Sequence, residues 1–339
     1  MRGARGRDRL VRATLGGRPW GSVVKLGMFI SDTSPSQVGI DDLIERAQWA
    51  EAVGLASGWV PYVPWSLDAM VALTIAGRET SRIELGTAVV PTYPFHPQAM
   101  ARGALSTNAA AGGRLTLGIG PSHPSVIEKM YGYSYDRAGV HTREYVEALH
   151  SAFAGNGRAD AHGEFYDFSS IFSVPDAPAK PPGLLVAALA PYMLRLAGER
   201  ADGTILWLTD EQALETHVLP RITAAAAAAG RPSPRVVVGM PIAICDDVDD
   251  GRENAARIFS MYAQIPTYNR ILEHGADPRP EHVLFVGDEA AVSMRLKRYA
   301  ELGATDVLMA PFAWGAHKDK IFARTREYLA SIVQEAAAW

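Results

Sequence analysis

Short apolar runs alternate with amphipathic stretches from residue 23 to the C-terminus. Residues 23–30, Val-Val-Lys-Leu-Gly-Met-Phe-Ile, predict a core strand. Residues 39–52 then place Ile40, Leu43, Ile44, Ala47 and Ala50 at helical spacing. Asp41 and Asp42 suit the first turn of that helix, and Gly54 ends it. The alternation continues with strands over 56–60, 83–90, 115–119, 184–188, 204–208, 236–244 and 306–310. Helices are predicted over 67–78, 97–111, 140–153, 192–200, 211–229, 251–272, 290–302 and 318–337. Pro266 should break or kink the 251–272 helix. The alanine run before Gly230 is a good helix former rather than disorder. Two stretches, 121–139 and 155–183, lose the pattern and read as insertions, the second with room for a hairpin around Gly-Glu-Phe-Tyr-Asp-Phe at 163–168.

Eight strands alternating with helices predict a (β/α)8 TIM barrel with insertions over residues 24–339. A doubly wound dinucleotide fold wants Gly-x-Gly-x-x-Gly after its first strand. Here that place reads Ser-Asp-Thr-Ser-Pro-Ser-Gln, and no Gly-x-x-x-x-Gly-Lys-Ser/Thr phosphate loop occurs.

Composition narrows the class. The 339 residues are 48% hydrophobic and carry a net charge of −4, enough apolar material for one large core. Residues 1–23 hold six arginines and one aspartate, so residues 24–339 alone carry −9. The basic arm is expected to be a disordered extension; a transit peptide or a basic arm for nucleic acid are the other readings. An acidic barrel argues against nucleic-acid and anionic-membrane partners, and no apolar run approaches the ~20 residues of a membrane helix. The single Cys245 excludes an internal disulfide framework and a cysteine-rich metal site, and fits a cytoplasmic location.

In such a barrel chemistry sits at the C-terminal strand ends. Strand one is followed by Ser31 and Asp32, and strand two by Pro61-Tyr62-Val63-Pro64-Trp65. Strand three leads to Thr92-Tyr93-Pro94-Phe95-His96, strand four to Gly118-Ile119-Gly120-Pro121-Ser122-His123, and strand five to Ala188-Leu189-Ala190-Pro191. Tyr62, Trp65, Tyr93 and Phe95 could wall a flat apolar ligand. None of the nine histidines has metal-ligand spacing, so no metal is expected. Ser122 beside His123 is no triad signal. His123, at a strand end in a Gly- and Pro-bearing loop, is a candidate proton carrier, because imidazole exchanges protons near neutral pH.

Residues 83–120 carry a family resemblance. Gly86-Thr87-Ala88-Val89, then His96-Pro97, then Gly113-Arg114-Leu115-Thr116-Leu117-Gly118-Ile119-Gly120 resemble the luciferase-like monooxygenase superfamily. Residues 185–207, with Ala197-Gly198-Glu199-Arg200-Ala201-Asp202-Gly203, are similar to that family's strand five, phosphate turn and entry to strand six. Val286-Gly287-Asp288 and residues 303–308 resemble its C-terminal end. Within the superfamily the chain looks most like the reductases that use the deazaflavin coenzyme F-420. The resemblance implies a cis peptide bond at Ala88–Val89 behind the cofactor ring. It implies a cofactor seat formed by Ala88, Val89, Gly118 and Gly120, and a phosphate turn at Ala188, Leu189, Ala190, Tyr192 and Met193. Pro191 has no N–H to offer there. A homodimer is also implied.

The departures bear on substrate. The family's hexose-phosphate branch has an Asp-His pair after strand two, where this chain has Tyr62-Val63, and a glutamate after strand four, where His123 stands. The phosphate turn has Leu189-Ala190 in place of paired glycines. Sugar-phosphate oxidation is therefore not expected. The expected reaction is reduction of an activated C=C or C=N bond of a small molecule, with His123 or Tyr62 as proton donor. The alternatives are an FMN-dependent monooxygenase on the same barrel, and a non-catalytic flavin- or deazaflavin-binding protein that has lost its acid–base pair.

Overall fold

The computed structural model describes residues 24–31, 38–336 and 338–339; the basic arm and Asp32 lie outside the described residues. Eight parallel strands form a closed barrel: β1 Lys25–Phe29, β2 Ser57–Val60, β3 Glu84–Thr87, β4 Leu115–Gly120, β5 Gly183–Ala187, β6 Gly203–Trp207, β7 Arg235–Ile244 and β8 Asp306–Pro311. They pair in sequence order. The ring closes where β8 meets β1, with Lys25 opposite Asp306 and Met28 opposite Met309. Nearly every strand residue is buried, since helices cover the outside and side chains fill the inside.

The return helices are α1 Ile40–Val53, α2 Ala69–Glu79, α3 Pro97–Ala110, α4 Ala138–Phe153, α5 Pro191–Arg200, α6 Leu219–Ala228, α7 Glu289–Leu302 and α8 Lys318–Ala336. Local chemistry sets their ends. Asp68 accepts the Met70 and Val71 N–H groups at the start of α2, and Asp288 caps α7 through Ala291. Gly54 closes α1 at φ 91°. Glu51, near the end of α1, accepts the N–H groups of Ser81, Arg82 and Ile83 and so ties α1 to the α2–β3 loop.

The irregular stretches have structure of their own. The first holds a short helix, Pro124–Lys129. The second contains an antiparallel hairpin, Arg158–His162 with Asp167–Ile171. The β7–β8 connection holds Val248–Ile258, a 3-10 turn Ser260–Gln264, Pro266–Leu272 and Pro280–Val283, then a strand Phe285–Gly287 that pairs with β7 outside the ring. The break expected at Pro266 thus falls earlier, at Phe259, and Pro266 starts a new helix where its missing N–H costs nothing. The continuous helix expected over 211–229 is instead interrupted by a π-helical turn, Leu214–Val218. Among the described residues no helix is long and apolar enough to cross a membrane.

Candidate active site

The N-terminal mouth of the barrel is sealed. Arg235 opens β7 and reaches Asp306 at the start of β8 with two hydrogen bonds (2.9 and 2.6 Å), and Glu84 at the start of β3 with another. Strands β3 and β7 face each other across the ring, so this network crosses the interior. Its guanidinium lies 5.7 Å from the ring of Trp59. Trp59 is fully buried and forms the next layer with Phe29, Leu185, Ile205, Val237 and Leu308. Ala88, Val89, Ala187 and Trp207 pack on that layer. Chemistry therefore belongs above them, at the C-terminal face.

The floor of that face is a bulge. Strand β3 pairs with β4 at Gly86–Thr116, and pairing resumes at Val90–Ile119. Between those pairs Thr87, Ala88 and Val89 oppose only Leu117 and Gly118, so one residue is extra and the ladder is interrupted. Thr87 replaces the missing ladder bonds: its hydroxyl donates to the Gly118 carbonyl (2.7 Å) and accepts from the Gly118 N–H (2.8 Å). The Ala88–Val89 peptide is cis, as the resemblance implies. A Cβ on Gly118 would lie 2.1 Å from the Thr87 carbonyl oxygen, and one on Gly120 would lie 2.9 Å from the Ala187 Cβ. Both positions therefore require glycine for close approach.

The expected phosphate turn follows β5. Ala188 is buried, while Leu189 and Met193 are partly buried against the core. Ala190 is the N-cap of α5 and provides no side-chain cap. Pro191 takes the first helical position, so the first-turn N–H groups of Tyr192 and Met193 are left for an outside acceptor. Tyr192 is 39% exposed and packs near Gly139, so the start of α4 lies beside this turn.

His123 caps the short helix after β4, and its Nδ1 is buried without a hydrogen-bond partner. Burial draws the imidazole below its ordinary value, which leaves it neutral at pH 7. Its ring meets Tyr268 at 5.3 Å. Tyr268 meets Tyr262 edge-on at 4.9 Å, Tyr262 lies 6.3 Å from Trp207, and Trp207 stands edge-on to Phe29 at 5.7 Å. An aromatic chain thus spans the mouth from the end of β6 to the loop after β4. Sequence reasoning missed Trp207, Tyr262 and Tyr268. Trp207 was within reach of the strand-end rule; the two tyrosines come from a segment that reads as one helix.

Tyr62 and Phe95 meet edge-to-face at 5.4 Å. Burial, then Tyr131 and Asp68, raise the Tyr62 phenol, so it is a neutral donor. Tyr93 goes elsewhere. It stacks on His141 at 3.9 Å with rings 4° from parallel, and on Tyr135 at 5.5 Å. The Tyr135 hydroxyl donates to the Ser122 carbonyl (2.7 Å), so this stack holds the loop that carries His123. Tyr166 bonds His141 Nε2 (2.7 Å). Burial, then Asp136 and Glu128, push the Tyr93 phenol up to about 12. Burial outweighs the charge of Glu144 and brings His141 down to about 4. Trp65 is 43% exposed at the rim.

These features place the protein among barrel enzymes that work from the C-terminal ends of their strands. It belongs to the luciferase-like monooxygenase family, whose profile matches residues 24–335. It is 29% identical over 237 residues to the 5,10-methylenetetrahydromethanopterin reductase of Methanolobus tindarius, covering 68% of this chain and 70% of that protein. It is 29% identical over 247 residues to the F-420-dependent glucose-6-phosphate dehydrogenase of Nakamurella multipartita, covering 68% and 71%. The solved structure of an F-420-dependent secondary alcohol dehydrogenase in complex with an F-420–acetone adduct has the same fold. It matches with a TM-score of 0.72 at 17% identity, over 90% of this chain and 99% of that one.

Proposed function

We propose that the protein is an F-420-dependent oxidoreductase that reduces an activated C=C or C=N bond of a small organic molecule. The observation that carries this reading is the buried, unpartnered Nδ1 of His123 in the loop after β4, at the C-terminal face. The relatives named for F-420 chemistry and for reduction support it.

The residues present fit the cofactor. The glycine-floored bulge of Ala88, Val89, Gly118 and Gly120 offers a flat, close-approach surface behind a ring system. The uncapped start of α5 at Ala190, Tyr192 and Met193 suits a phosphate. A chain of −9 over residues 24–339 makes those N–H groups more necessary. When bound, F-420 supplies a hydride, and it lacks the flavin N5 that supports oxygen activation.

The chain's own groups do the rest. A substrate double bond that accepts a hydride develops negative charge at its far end, on a conjugated oxygen or nitrogen. Neutral His123 can stabilise that charge and pass a proton to it, as a neutral imidazole does in other barrel enzymes. Tyr62 offers a second neutral donor. The aromatics Phe95, Tyr262 and Tyr268 exclude water around the reacting atoms. Val63 stands where the hexose-phosphate branch has its histidine, which argues against sugar phosphates.

The test is oxidation of reduced F-420 against a panel of enones and imines. Turnover should fall about 10²- to 10³-fold in His123→Ala and less in Tyr62→Phe. If both variants turn over like the wild type, the assignment of the proton is wrong.

A further inference from the structure

We propose that His217 is a positioning residue for the phosphate turn, acting through the Leu189 carbonyl; this rests on the reading of that turn as the cofactor-phosphate seat. His217 is 2% exposed and lies in the π-helical turn Leu214–Val218. Its Nε2 is 2.8 Å from the Leu189 carbonyl oxygen. A carbonyl only accepts, so Nε2 carries the proton and Nδ1, which is buried with no partner, is the bare nitrogen. Single π-turns inside helices are frequent at functional sites.

Leu189 lies between the last residue of β5 and the N-cap of α5. That turn lacks the paired glycines of the family, and its own residues provide no side-chain hydrogen bond at the cap. The His217 bond reaches it from 28 positions along the chain. It fixes the direction of the peptide that leads into the free N–H groups of Tyr192 and Met193.

His217 is itself held from the other side. His274 stacks on it at 3.9 Å, 22° from parallel. The Gln212 side chain donates to the His274 carbonyl (3.4 Å) and the Gly275 carbonyl (3.2 Å), and Asp210 accepts the Ala276 N–H (2.6 Å). The segment held this way belongs to the same β7–β8 connection that brings Tyr268 against His123. One buried imidazole therefore joins the phosphate turn to the connection over the reacting end.

The discriminating measurement is binding, by fluorescence titration, of two probes to the full chain. One probe is F-420; the other is the same 8-hydroxy-5-deazaflavin with its ribityl chain but no phosphate. His217→Leu should weaken F-420 about tenfold and leave the phosphate-free compound within about twofold of wild type. His217→Gln, whose amide can still donate near the Nε2 position, should restore F-420 affinity to within about threefold. His217→Asn, too short to reach, should behave like the leucine variant and provides the same comparison if the leucine variant does not fold. Equal weakening of both probes, or none, overturns the role of His217. If the wild type binds both probes equally, the phosphate seat itself is wrong and the proposal falls with it.

Discussion

Replacing Thr87 by valine removes two hydrogen bonds and almost no volume. The Thr87 side chain is fully buried, and its hydroxyl is the partner of both the N–H and the carbonyl of Gly118. Valine keeps the shape and leaves two buried backbone groups unpaired at the bulge. Each such group costs about 1–3 kcal/mol, so the pair should cost about 3 kcal/mol. Unfolding entropy of about 2.1 cal/mol/K per residue over 339 residues gives ~0.7 kcal/mol/K, so the melting temperature should drop by about 4 °C. Thr87→Ser is the control: it keeps the hydroxyl and loses one methyl, worth about 1 kcal/mol. Differential scanning calorimetry of the three proteins, with F-420 titration of each, reads both effects. F-420 affinity should fall with valine and hold with serine if the bulge is the floor of the proposed seat. If serine destabilises as much as valine, the hydroxyl does not stand in for the ladder and the account of the bulge is wrong.

Burial raises the Glu51 carboxyl, but the N–H groups of Ile83, Arg82 and Ser81 outweigh it and bring the pKa down to about 2. Its contribution is present above the unfolded value of 4.5 and is lost as pH falls toward 2. Glu51→Gln should melt about 2 °C lower at pH 7, with the gap to wild type narrowing below pH 4.5 and closing as pH falls through 2 in a pH series of melts. His141, held at about 4 chiefly by burial, costs no stability above the unfolded value of 6.5; the cost accumulates as pH falls from 6.5 to 4 and reaches about 3 kcal/mol there. His141→Phe should therefore flatten denaturant midpoints between pH 6.5 and 4; an unchanged acid slope would contradict the burial of that imidazole.

The barrel was legible because each of its eight strands is an apolar run closed by Gly, Pro or a polar loop, and local pattern is what periodicity reads. The cis bond and the bulge were legible only through Gly86-Thr87-Ala88-Val89 as a motif; no local rule asks for an extra residue there. Tyr93 shows what stays hidden. The sequence places it with Phe95 and Trp65, yet its ring partners are Tyr135 and His141, brought near by the fold rather than by spacing. The π-turn at Leu214–Val218 is hidden for the same reason. Leu-Glu-Thr-His-Val contains no helix breaker, and its stacking and hydrogen-bond partners lie at His274 and Leu189. Pro266, expected to break or kink the 251–272 helix, starts a new helix instead, because the chain has already left the first one at Phe259.

The central claim is that the seat over the Ala88–Val89 bulge holds F-420. Anaerobic titration of the full chain with F-420 and with FMN, followed by fluorescence, tests it most directly. The account predicts saturable binding of F-420 at least about tenfold tighter than FMN. FMN binding as tightly or more tightly than F-420 would contradict it and make the protein a flavin-dependent monooxygenase on the same barrel.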